Sequence, residues 1–316
     1  LNPEKTSTKL NPTGVLHLIV VYLVWGSTYL AIRVAVREGG GFPPLTLGLM
    51  RAAVAGVLLL AWAALARQRL KPTKEELWVL VGSGLLLWLG GNGLVTVAEQ
   101  RADSSLAALM IAVTPIWVAA IEAVIDRRAP SALLVGALLV GFAGIGLLTA
   151  PVLRDGVRGD LFSVLALLGA TISWGLGTVL QSRRPVKLSP RVSSGYQMLA
   201  GAVGFAIMAR VLGEPLPTPT PEAWLAWVYL ALVGSVLAFT SYVSVLQLLP
   251  TSVVMTYSYV NPVIAVILGW LILGEPITIW TVSGSALVLL GVAGVFRDRT
   301  RQRQKGGMAT SPAKDA

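Results

Sequence analysis

The sequence predicts an all-α integral membrane fold, with ten transmembrane helices arranged as two inverted five-helix repeats. Three observations predict it. Hydrophobic residues make up 55% of the 316 positions and charged residues 13%, against roughly a quarter charged in ordinary soluble domains. Apolar runs of about 20 residues, the length that crosses a bilayer as a helix, recur along nearly the whole chain. Residues of the first half also reappear in the second at a nearly constant shift.

The spans are placed at 14–36, 45–66, 76–97, 104–125, 131–150, 160–182, 191–212, 222–248, 252–273 and 277–296. A polar N-tail, 1–13, leads into the first span with no short apolar region and cleavage site ahead of it, so no signal peptide is read. The breaks are short and carry turn or charge signals, as in Arg37 to Pro44, Arg67 to Lys74, Asp126 to Pro130, Arg154 to Arg158, Arg183 to Lys187 and Gly213 to Pro221. No loop is long enough for a soluble domain. The two repeats occupy 14–150 and 151–296, and the basic tail 297–316 is expected to be disordered.

Lys and Arg set the orientation. With ten spans, and with Arg191 and Arg210 at the ends of the seventh counted in the adjoining loops, eighteen of the 25 fall on the side of the two tails and five on the other, and the remaining two, Arg33 and Arg51, lie inside spans. Basic residues are retained in the cytoplasm, so both termini are expected there. The same reasoning turns the net charge of +10 away from nucleic acid and toward membrane topology. Cysteine is absent and His17 is the one histidine, which excludes disulfides, thiol nucleophiles and histidine metal clusters. No cofactor or metal is expected. The expected partners are a small-molecule substrate and the lipid bilayer, with the chain acting as a monomer.

The repeat appears when the sequence is shifted by 147 residues, which brings Gln100 onto Gln247, Ser105 onto Ser252 and Pro115 onto Pro262. At 149, Trp25 and Gly26 meet Trp174 and Gly175, and at 148 Gly136 and Gly146 meet Gly284 and Gly294. Five-helix copies enter the membrane from opposite sides, and the charges agree: loop 1–2 is poor in Lys and Arg where loop 6–7 is rich, and 2–3 is rich where 7–8 is poor. Inverted copies are the usual construction of alternating-access carriers, with substrate held between them near the midplane.

Five segments carry a family resemblance: Trp25 to Thr28, Pro44 to Arg51, Ala107 to Pro115, Tyr257 to Pro262 and Leu273 to Pro276. In this order and spacing the chain resembles the ten-span EamA-type members of the drug/metabolite transporter superfamily, over roughly 14–296. Within it the chain is most similar to amino-acid exporters, particularly those of aromatic amino acids. The resemblance implies a basket of helices 1–4 and 6–9 around a central cavity, with helices 5 and 10 behind. It also implies residence in the bacterial cytoplasmic membrane.

Aromatic residues near mid-span are the first substrate-binding candidates. Trp25 and Tyr29 share one helix face, and Trp88, Trp174, Phe239, Tyr242 and Tyr257 join them. Trp78, Trp224, Trp227 and Trp280 fit the interfacial belt instead. π-rich walls would stack on flat apolar solutes. Polar candidates are Asn92, Thr96, Thr114, Thr178, Ser258 and Asn261, with Met110 in span 4. Uncharged polar groups in lipid turn toward the bundle, either to pair with other helices or to meet a ligand. Pro115 and Pro262 each free the carbonyl four residues earlier, that of Ile111 and of Ser258, for a substrate's ammonium group. Arg33 and Arg51 are expected to snorkel or to pair with Glu38, Glu99 or Asp103. No acidic residue sits at a span centre, which favours exchange or uniport over proton coupling. The glycines of spans 5 and 10 are read as helix packing, and Gly90 to Gly93 as no nucleotide loop.

The expected activity is export of amino acids, aromatic or large apolar ones preferred, by alternating access. The runner-up is export of other amphipathic metabolites or cationic drugs. An enzyme is disfavoured because nucleophile–base pairs, metal-ligand sets and paired carboxylates are lacking.

Overall fold

A computed structural model of the chain describes residues 11–37, 39–101, 107, 110–154, 161–273 and 277–309. Every regular element among them is helical: α1 (Pro12–Ala35), α2 (Pro44–Leu65), α3 (Lys74–Ala98), α4 (Thr114–Asp126), α5 (Ala132–Arg154), α6 (Leu161–Arg183), α7 (Pro190–Val211), α8 (Pro221–Leu248), α9 (Tyr257–Leu273) and α10 (Ile279–Ala309). Seven are long and apolar enough to cross a membrane, namely α1, α2, α3, α6, α7, α8 and the stretch Ile279–Asp298 of α10; α5 holds a shorter apolar stretch, Ala132–Leu147. Glu38, Asp103, Ser105 and the segment Gly274 to Pro276, which figured in the sequence analysis, lie outside the described residues.

Helix starts are written locally. Asn11, Ser189 and Thr220 each precede a proline and accept backbone N–H bonds from the first turn of α1, α7 and α8. Proline at the first helical position loses no bond there, and the capping side chain satisfies donors that the helix leaves open. Thr73 and Glu76 form a reciprocal capping box at α3. Pro44 opens α2, whose next two N–H groups, on Leu45 and Thr46, donate to the Glu214 carboxylate at 2.8 and 2.7 Å.

Two expected spans are broken. Ala107, Met110 and Ile111 are helical, a turn follows at Ala112 and Val113, and α4 starts at Thr114. Pro115 has no N–H for the Ile111 carbonyl, and the Thr114 hydroxyl takes that carbonyl at 2.6 Å instead. The freed carbonyl expected from the sequence is therefore already occupied. In the second half a helical turn, Thr251–Val254, precedes the turn at Met255 and Thr256, where Thr256 Oγ1 donates to Val253 O at 2.5 Å. Pro262, by contrast, sits inside α9. α10 runs through Ala309, and Arg297 to Lys305 contains good helix formers and no Gly or Pro.

The packing sets α1 against α8 and α9, α6 against α3 and α4, α2 along α7, and α5 along α10. Renumbering each helix by five maps these pairs onto one another. Glycines make the α5–α10 seam close: a Cβ on Gly291 would lie 2.6 Å from the Gly141 Cα, and one on Gly144 2.6 Å from the Val288 nitrogen. The glycine packing expected from the sequence is thus seen at these positions, though a Cβ built on Gly146 would have open space around it.

Loops gather at two ends. At the end where α1 begins, Arg69 bonds Glu76 at 2.5 Å, Glu76 accepts from Lys187 N, and Ser189 donates to Gln68. Arg183 grips Asp126 there with two bonds of 2.5 and 2.6 Å and holds that carboxyl below the usual range. At the far end Thr220 N donates to Gly40 O, and Glu214 caps α2.

Candidate functional site

α3 and α8 share a feature that shapes the interior. Their middles, Leu85–Gly93 and Leu230–Leu237, widen into π-helix. Such widening disturbs the regular backbone ladder and is frequent at functional sites. Here side chains take up the local carbonyls. Ser173 donates to Leu86 O at 2.8 Å, Trp25 Nε1 to Gly234 O at 3.1 Å, and Ser235 to Leu230 O at 2.8 Å. Glycines let neighbours approach these segments. A Cβ at Gly90 would lie 2.0 Å from Ser173 Oγ, and one at Gly91 2.6 Å from the Trp174 ring.

Between the two widened segments lies a cavity of about 670 Å³, counting the space at its mouth. Nine of the candidates line it: Trp25, Tyr29, Trp88, Asn92, Thr114, Trp174, Phe239, Tyr257 and Asn261. The lining residues of α1, Trp25 to Ile32, and of α3, Trp88 to Val95, lie in the halves of these helices nearer the far end. The cavity therefore reaches from mid-depth toward that end.

Its floor is aromatic. Trp25 meets Trp174 at 5.5 Å between centroids with planes at 81°, and Tyr257 at 5.0 Å and 77°. Trp88 meets Phe239 at 5.1 Å. These edge-to-face contacts are the favoured aromatic geometry. Trp88 is 1% exposed and Trp78, assigned to the interfacial belt, 79% exposed.

Five candidates do not line the cavity. Tyr242 and Thr178 lie beneath its floor, bonded to each other at 2.5 Å. Ser258 is buried behind Tyr257 in sequence, its hydroxyl without a hydrogen-bond partner. Thr96 turns its hydroxyl onto Asn92 O at 2.8 Å. Met110 packs on Ala98, Ala107, Ala166 and Leu167. Asn261 places its amide nitrogen 3.0 Å from Tyr257 O and 3.2 Å from Tyr22 O, an orientation assigned from those partners.

Nine further lining residues lay outside the candidate set, and Arg51 is the charged one among them. Arg51 is 6% exposed and faces the cavity. Its Nε donates to Ser235 at 2.7 Å, and its guanidinium carbon lies 5.2 Å from the Trp88 ring centroid. Among the described residues no acidic side chain pairs with it; of the expected partners, Glu38 and Asp103 lie outside them. Glu99 is also buried, at the end of α3, with both carboxyl oxygens lacking hydrogen-bond partners. The signal in the sequence was an arginine eight residues into an apolar span, read there as snorkelling. Among the described residues no group of three or more His, Asp or Glu is placed to hold a metal.

The EamA-like transporter family model matches this chain twice, over residues 12–150 and 161–297. The chain belongs to the EamA-like transporter family. It is a membrane transporter and not an enzyme. The transporter is 34% identical over 263 residues to the "uncharacterized inner membrane transporter YedA" of Escherichia coli (strain K12), covering 83% of each chain. It is 25% identical over 280 residues to the "uncharacterized transporter YoaV" of Bacillus subtilis (strain 168), covering 88% of this chain and 94% of the relative. A solved crystal structure superposes with a TM-score of 0.75 at 23% identity over 92% of this chain and 98% of the other. That likeness concerns the fold. The two family matches fall on either side of the break between α5 and α6.

Proposed function

We propose that this transporter exports amino acids, with aromatic or large apolar side chains preferred, by alternating access. The cavity carries the reading: its floor and walls are indole and phenol rings, which stack on a flat apolar side chain, while Asn92, Thr114 and Asn261 offer polar contacts. The residues assigned to substrate contact are the nine that line the cavity. Tyr242, Thr178, Thr96, Met110 and Ser258 support them from behind.

The proposal includes ten membrane spans in two inverted five-helix repeats. Support comes from the two family matches, from contacts that repeat when helices are renumbered by five, and from π segments in both α3 and α8. The broken fourth and ninth helices are counted as spans because each pairs with the first helix of the other half. Both termini are placed in the cytoplasm on the distribution of Lys and Arg, and the bilayer is the inner membrane, as the name of the YedA relative has it. On that orientation the far end is the outside. One chain encloses the cavity, which supports a monomer as the transporting unit.

The test is a proteoliposome uptake and counterflow panel of amino acids and lipophilic cations, run with and without a pH gradient. Saturable counterflow of aromatic amino acids is the expected result. Movement of cations while every amino acid is ignored would overturn the substrate assignment. Unsaturable flux would indicate a channel.

A further inference from the structure

We infer that Arg51 is a docking fork for the carboxylate of the substrate, so that the site takes singly charged carboxylates with a flat apolar body and rejects lipophilic cations. The inference rests on the transporter reading and deepens it.

Three observations carry it. First, the guanidinium is buried, and among the described residues no acidic side chain pairs with it. A desolvated cation without an anion is costly, and such groups in membrane proteins mark ligand or ion sites. Second, the side chain is positioned. Ser235 accepts from Arg51 Nε at 2.7 Å while donating its own hydrogen to Leu230 O at 2.8 Å. That bond occupies one of the five guanidinium N–H donors, and among the described residues no hydrogen-bond acceptor meets the two Nη groups. Ser235 belongs to the π segment of α8, and its bond to Leu230 spans the five-residue register of that segment. Third, Gly234 clears the approach: a Cβ there would lie 3.4 Å from Nη2. The Trp88 face beneath the guanidinium supplies π-electron density but no hydrogen-bond acceptor.

A planar pair of N–H groups matches a carboxylate with two parallel bonds. Arg51 is also the one charged residue that lines the cavity among the described residues. One cation balances one carboxylate, whereas a phosphate monoester would bring a second, uncompensated charge into a mostly apolar site. An amine or lipophilic cation that lacks a carboxylate would meet like charge with no anion to offset it.

Four phenyl compounds test this against the purified protein in detergent, by ligand-induced thermal stabilisation, and then in proteoliposomes. They are L-phenylalanine, 3-phenylpropanoate, phenethylamine and tetraphenylphosphonium. The wild type is expected to bind the first two and ignore the others. Arg51→Gln is expected to bind the carboxylates roughly 10- to 100-fold more weakly, the range for lost hydrogen bonds to a charged group. Arg51→Lys should retain part of the affinity, because it keeps the charge and loses the fork. Ser235→Ala keeps the cation and frees its aim, and is expected to weaken carboxylate binding by a smaller factor. It also guards against misfolding of the Arg51 variants, whose integrity is read by gel filtration. Binding of phenethylamine or tetraphenylphosphonium with no response to carboxylates would overturn the role of Arg51 and leave a transporter of cations. Carboxylate binding that folded Arg51→Gln retains in full would overturn it while sparing the amino-acid reading. Silence of all four compounds in both assays would overturn both.

Discussion

The hydroxyl of Tyr242 lies 2.5 Å from that of Thr178, and Thr178 Oγ1 lies 2.8 Å from Trp174 O. The Thr178 hydrogen serves the Trp174 carbonyl, so Tyr242 donates to Thr178. This bond ties α8 to α6 directly below the rings of Trp25, Trp174 and Tyr257, all of which touch the Tyr242 ring. Tyr242→Phe removes one buried bond and keeps the ring, so it should lower stability by about 1 kcal/mol. Tyr242→Ala should cost about 3–5 kcal/mol, as large-to-small changes of buried aromatic side chains do. Thermal unfolding of the purified variants measures both. Equal melting temperatures for Tyr242→Phe and wild type would mean that the bond contributes nothing.

Asn261 joins α9 to the Tyr22 backbone of α1 and also lines the cavity. Asn261→Ala is expected to impair counterflow of aromatic amino acids while the protein still inserts in normal amounts. Wild-type flux from a well-expressed variant would remove this residue from the site.

The α5–α10 seam is set by backbone approach. A Cβ on Gly291 would lie 2.6 Å from both N and Cα of Gly141, atoms that cannot move aside as a flexible side chain can. Gly291→Leu should therefore sharply reduce the yield of monodisperse protein, since small residues permit such contacts between membrane helices. Gly136, on α5, has nothing within 4 Å of a built Cβ. Gly136→Ala is expected to be neutral or slightly stabilising, by up to about 1 kcal/mol. Gel filtration of the two variants side by side decides whether proximity or mere helix propensity governs these glycines.

Glu214 caps α2 from the α7–α8 connection, accepting from Leu45 N, Thr46 N and Thr46 Oγ1. Its negative charge also sits at the favourable end of the helix dipole. Glu214→Ala should cost about 1–2 kcal/mol, the upper range for a lost cap, and Glu214→Gln should cost less. Melting curves that rank the two in the reverse order would refute the role of the carboxylate.

The membrane class, the apolar helices and most helix ends were legible in the sequence because each is a local property. Hydropathy over about 20 residues marks a span, and Asn11-Pro12, Ser189-Pro190 and Thr220-Pro221 mark helix starts with their own side chains. The mid-depth aromatic residues were legible for the same reason: Trp25, Trp88 and Trp174 stand too far from span ends to serve as belt residues. The breaks in the fourth and ninth helices were not, although Thr114 and Pro115 carried a clue. A hydroxyl next to a proline can replace the missing N–H, and only the folded chain shows that it does.

The sequence by itself determined that this chain is helical, belongs in a bilayer and carries aromatic and polar residues at mid-depth, because side-chain hydropathy and backbone propensity act over neighbouring residues. Tertiary structure alone decided which of those residues border empty space and which sit behind the wall. It also decided that Arg51 meets Ser235, 184 positions along the chain, and no acid among the described residues. That choice depends on how two helices from different halves pack, and the energy of a buried charge is set by what surrounds it in space.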